Sequence, residues 1–211
     1  MRKWLLSAWF MIPVGATAFH FGPGQDHAAL DRVASLTAEG QAFAKEGRAL
    51  QEKDQTLAAA GAFAKADNAF SQALSELPAE HVAESRALRL ERAKCMMFLS
   101  KLPDANRELT GLVEELSVDP DADPELTADA RSTYANSQYY MTWLMRLEGE
   151  GREKWGPRIE SARQTYRLLA ERAQEAGDSE ALAHHREDLE AAIRLDRMDL
   201  TDLQGLPLPS Q

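Results

Sequence analysis

A single cysteine, Cys95, stands among 211 residues. An internal disulfide framework and a cysteine-rich zinc module are both excluded by that count. Positive charge is in deficit: 24 Lys and Arg face 34 Asp and Glu, for a formal net charge of −10. Phosphate backbones repel such a chain, and no local basic cluster offsets the excess, so nucleic acid is not an expected partner. Runs of alternating β-branched residues long enough for a sheet are missing. Glycine and proline, at 12 and 9 residues, are too sparse for a wholly disordered chain. There is no Gly-rich phosphate loop, no Gly-x-Ser-x-Gly elbow, no zinc-protease His pair and no kinase signature. The expectation is therefore a non-enzyme with no cofactor and no small-molecule substrate. What is present is a chain rich in alanine, leucine and glutamate, 44% hydrophobic, with enough apolar side chains to bury a core.

The first residues differ from the rest. Met1-Arg2-Lys3 is a short basic start, Trp4 to Ile12 is uncharged and apolar, Pro13-Val14-Gly15 breaks the helical signal, and Ala16-Thr17-Ala18 follows. That is the order of a secretory signal, with cleavage near Ala18 and a mature start at Phe19. The segment from Trp4 to Phe21 also lacks formal charge, which suits an uncleaved membrane anchor with its N-terminus in the cytoplasm. Both readings stay open, and both place the remainder outside the cytoplasm; the lesser alternative is a buried N-terminal helix of a cytosolic protein. No cysteine lies near position 20, so a lipid-anchored lipoprotein is excluded.

Beyond the turn-prone Phe21-Gly22-Pro23-Gly24, helical periodicity hardly stops. The pattern predicts helices over 26–52, 55–77, 80–101, 104–117, 125–149, 157–176 and 179–198. Pro78 and Pro103 cannot continue a helix interior. The acidic stretch from Ser117 to Pro124 is a loop. Pro157 suits the first turn of a helix, and Ser179 is the expected cap of the last one.

Within these helices Ala66-x3-Phe70-x2-Ala73-Leu74-x3-Pro78 carries small residues, an aromatic and a terminal proline at fixed offsets. Ala105-x3-Leu109-x2-Leu112 and Ala162-x3-Tyr166-x2-Leu169 repeat the spacing. The motif resembles the second helix of a tetratricopeptide repeat, although the third unit falls later than a period of about 34 residues requires. The resemblance implies an all-α fold of antiparallel helix pairs stacked as a short tetratricopeptide-like array. The expected organisation is a signal or anchor over 1–21, a turn and leading helix over 22–46, repeats over 47–176, a polar capping helix over 177–200 and an extended tail over 201–211.

Sparse clusters of reactive side chains compete with bland alternatives. His184 and Asp188 share a helix face four residues apart, yet two ligands hold a metal weakly, so a solvated polar face is expected and no metal site. Asp119, Asp121 and Asp123 begin like a calcium loop, but Pro124 and Ala130 stand where Gly and Glu are needed. Cys95 sits among apolar residues and is expected to be an inert, buried thiol. The aromatic run Tyr134, Tyr139, Tyr140 and Trp143 is the richest feature.

In the tetratricopeptide register, first helices line a concave groove, which exposes Lys94, Met97, Asn136, Tyr139 and Trp143 to a partner segment. A clamp for a free C-terminal carboxylate is excluded, because Glu91 and Asp129 occupy the register where cations are required. The function expected is a non-enzymatic, extracytoplasmic scaffold for protein partners, held at the membrane through residues 4–21 if that segment is uncleaved. The alternatives are a self-associating structural bundle of the cell envelope and an enzyme built from dispersed residues.

Overall fold

The computed structural model describes residues 23–204. The signal or anchor expected over 1–21 and the end of the tail, from Gly205, lie outside the described residues. Among the described residues there are eight helices and no strand. They are α1 (Pro23–Gln51), α2 (Thr56–Glu76), α3 (Val82–Met97), α4 (Leu102–Val118), α5 (Pro124–Leu147), α6 (Arg152–Ala176), α7 (Ser179–Arg197) and α8 (Leu200–Gln204). No helix among them is long and apolar enough to cross a membrane.

Most boundaries have a local cause. The Asp123 side chain accepts a hydrogen bond from the Glu125 N–H at 3.0 Å, with Pro124 in the first turn of α5. Gly149 and Gly177, at φ of 78° and 72°, leave α5 and α6 through the left-handed region that glycine enters freely. Two expectations are corrected. The cap of α7 is Asp178, which accepts from the Glu180 and Ala181 N–H groups at 3.1 and 3.0 Å, while Ser179 is the first helical residue. Pro157 lies inside α6, which begins at Arg152. The extra turn is held because Trp155 is buried in it, with the guanidinium groups of Arg146 and Arg152 at 4.8 and 5.2 Å from its ring.

The chain divides into two compact units, up to Leu88 and from Arg89. In the first, α1 packs on α2 through two glycines: Gly40 meets the ring of Phe70, and Gly47 meets that of Phe63. In the second, α4 packs on α5, α5 on α6 and α6 on α7, each helix against its successor. One apolar cluster joins Leu90, Ala93 and Met97 of α3 to Ala105, Leu109 and Leu112 of α4. Another joins Trp143, Trp155, Ile159 and Tyr166 to Leu195 and Leu203. All three spaced triplets are core: Ala66, Phe70 and Ala73, then Ala105, Leu109 and Leu112, then Ala162, Tyr166 and Leu169 are each no more than 3% exposed.

The described start of the tail expected to be extended over 201–211 is helical instead. Thr201–Gln204 belongs to α8, whose start is capped by Asp199 through the Asp202 N–H at 2.8 Å. Burial of Leu203 beside α5 and α6 favours the helical turn over an extended strand.

Candidate functional site

The five residues expected to meet a partner do not share one environment. Met97 and Trp143 are only 8% and 5% exposed, and both pack in apolar clusters. As contact residues on a groove surface they are therefore replaced by core roles, because each side chain falls on the stripe that its helix turns inward. The Trp143 indole N–H has no hydrogen-bond partner among the described residues.

Lys94, Asn136 and Tyr139 are half-buried. Lys94 on α3 donates to Glu91 at 2.8 Å and to Asp129 on α5 at 2.7 Å. Burial works against its charge, but the hydrogen bonds it donates to Asp129 and Glu91, with their negative charge, outweigh it and hold its pKa above the ordinary lysine value. Asn136 accepts a hydrogen bond from the Tyr166 hydroxyl at 2.6 Å. Tyr139 meets Tyr140 edge-on, with ring centroids 5.5 Å apart, and Trp143 at 6.3 Å. Burial pushes the phenols of Tyr139, Tyr140 and Tyr166 up from their ordinary value.

A polar seam that the sequence reading missed runs behind this face. Asn106 on α4 donates to Ser137 on α5 at 2.8 Å. Arg158 on α6 donates to Asn106 at 3.3 Å and to Gln138 at 3.1 Å. One guanidinium thus ties three helices, and the pair α3–α4 meets the pair α5–α6 through named polar contacts. The sequence held one signal of it. Asn106 directly follows Ala105 and stands three residues before Leu109, inside an otherwise apolar stripe.

At the end of α7 a second arginine is spent on structure. Arg146, 9% exposed, donates to the backbone carbonyls of Leu195 and Met198 while lying over Trp155. Those carbonyls belong to a helix C-terminus and lack partners within the helix, so a cation there satisfies both hydrogen bonding and the helix dipole.

The remaining clusters divide in the same way. Asp119 and Asp123 accept from backbone N–H groups two residues on, so the acidic loop uses its carboxylates to fix turns. Cys95 is buried. An open depression of about 370 Å³ is lined by Arg89, Arg92, Lys101 and Arg107, with Asp104 and Glu108 interleaved. Arg89 there is engaged by Glu108 and Glu115, and Arg107 by Asp104, so the cations are neutralised in place. Of His184, His185 and Asp188 on α7, His184 matches the expected solvated face, at 65% side-chain exposure. His185 and Asp188 are turned inward at 14% and 23%. No family model matches the chain, and neither a curated protein nor a solved structure matches it.

Proposed function

We propose that the chain is a non-enzymatic scaffold of tetratricopeptide-like helix pairs, working outside the cytoplasm and binding a partner segment along the first helices α3 and α5. The observation that carries this reading is the ion pair of Lys94 on α3 with Asp129 on α5, alongside the packing of α4 on α5. First helix beside first helix is the arrangement that gives repeat arrays an extended binding face. Along it Lys94, Asp129, Asn136 and Tyr139 offer charge, an amide and an aromatic edge. Met97 and Trp143 support that face from beneath. The carboxylates of Glu91 and Asp129 favour a segment with a basic or neutral backbone stretch over an acidic one.

A photo-crosslinking side chain at position 129 or 139, with one at the exposed Arg107 of α4 as reference, tests the face in the native cell. Adducts to the same protein from 129 and 139 but not from 107, weakened by Lys94→Glu, are the expected result. Equal yields from all three positions would overturn the assignment. N-terminal sequencing tests the location. A start at Phe19, or an intact Met1 in the membrane fraction, supports it, and an intact Met1 in the cytoplasmic fraction defeats it.

A further inference from the structure

We propose that His184, His185 and Asp188 form a three-ligand site on α7 for a divalent transition-metal ion of the zinc class, with one coordination position left open. One donor atom from each residue lies within 4.8 Å of the other two. His184 Nε2 and His185 Nδ1 stand 3.6 and 3.9 Å from the same carboxylate oxygen, Asp188 Oδ2. Both distances exceed hydrogen-bond reach. Donors bound to one tetrahedral zinc at bond lengths of about 2.0–2.1 Å are roughly 3.3 Å apart. Small rotamer changes close the gap, since all three side chains leave one helical turn and the backbone need not move.

The second observation concerns the bonding of two of these same atoms. His185 Nδ1 and Asp188 Oδ2 are both buried atoms with no hydrogen-bond partner among the described residues. Leaving such atoms unsatisfied is costly, and a native structure rarely does so without a ligand or a role. A cation between them satisfies both at once. The donor set selects its class: two imidazoles and a carboxylate suit zinc, copper, nickel or cobalt, whereas magnesium and calcium take oxygen donors. Three protein ligands are one short of a closed structural site, so the fourth position goes to water or to an incoming group. His184, on the solvent side, leaves that position reachable. The three ligands stand on α7, and Asp188 is close enough to Tyr139 of α5 to act on its phenol.

Titration calorimetry of the untagged full chain, stripped of metal, with zinc sulfate is the direct test. One equivalent bound per chain is expected. His184→Gln, Asp188→Asn and His185→Gln each should weaken it roughly tenfold or more, at least as much as the loss of an outer-shell partner does. Helical circular dichroism of each variant separates lost ligation from lost fold, and the exposed His184 keeps the test open if the inward pair proves structural. Cobalt(II) substitution should give ligand-field bands that disappear in His184→Gln. Three results would overturn the site: no saturable binding, affinity unchanged in His184→Gln and Asp188→Asn, or magnesium and calcium competing equally with zinc.

Discussion

The ring of Phe70 closes directly on the bare backbone of Gly40, where a Cβ would stand 2.7 Å from ring atom Cε1. Gly47 meets Phe63 in the same way at 2.8 Å, and the two contacts hold α1 against α2. Gly61, on the exposed side of α2, has nothing within 4 Å of an added Cβ. Alanine should therefore act with opposite signs. Gly40→Ala and Gly47→Ala should each lose about 1–3 kcal/mol through overpacking. Gly61→Ala should gain about 0.5–1 kcal/mol, because a helix interior favours alanine over glycine. Urea midpoints of the three variants decide the matter, and a common sign would show that the rings move aside.

Arg146 is expected to resist conservative replacement. Lysine retains the charge but not the flat guanidinium that reaches two carbonyls while covering Trp155. Arg146→Lys and Arg146→Gln should both cost about 2 kcal/mol, the scale for lost hydrogen bonds to a charged group. Hydrogen exchange should rise at the end of α7 and in α8 before it rises in α4.

The buried phenols set an alkaline limit on stability. Burial raises the folded pKa of Tyr139, Tyr140 and Tyr166 above the ordinary value of 10.0. A group whose folded pKa is raised contributes fully below its unfolded value and loses that contribution as pH climbs through the folded one. Stability should then decline above pH 10, and phenolate absorbance should lag behind that of the urea-unfolded chain. Tyr166→Phe should remove part of the lag. Coincident folded and unfolded titration curves would contradict the burial of these rings.

Leu203 tests the end of the described chain. It is 1% exposed in the cluster with Trp155 and Leu195. Leu203→Ala should cost about 2–4 kcal/mol by leaving a cavity. The neighbouring exposed Thr201, changed to alanine, should change stability by less than about 0.5 kcal/mol. Similar small losses at both positions would mean that α8 is not docked.

The helices were legible because their signals are local. Pro103 and Pro124 at helix starts, the glycines at 149 and 177 and the alanine triplets act within one or two turns. The site was less legible because it depends on which face a neighbour covers. Tyr139 stayed near the surface while Trp143, one turn on, was covered. His185 is adjacent to exposed His184, yet only the packing beneath α7 decides that it turns inward. Arg146 and Arg158 looked like ordinary charged residues. Their partners lie in other helices, Arg146 with Leu195 and Arg158 with Asn106, and no pattern within a helix announces such a pairing.

The packing of each helix from α4 to α7 on its successor bears on how the chain reaches this state. Contacts between sequence neighbours need little loop closure, so this part of the molecule should fold quickly and in the order in which it is made. The longer returns are those of α8 to α5 and of the end of α7 to Arg146 on α5, which bridge a long stretch of sequence. A chain threaded out unfolded, N-terminus first, could assemble its helix pairs one after another. The carbonyls that Arg146 meets and the seating of Leu203 would come late, so completion of those contacts times the closing of this part of the fold.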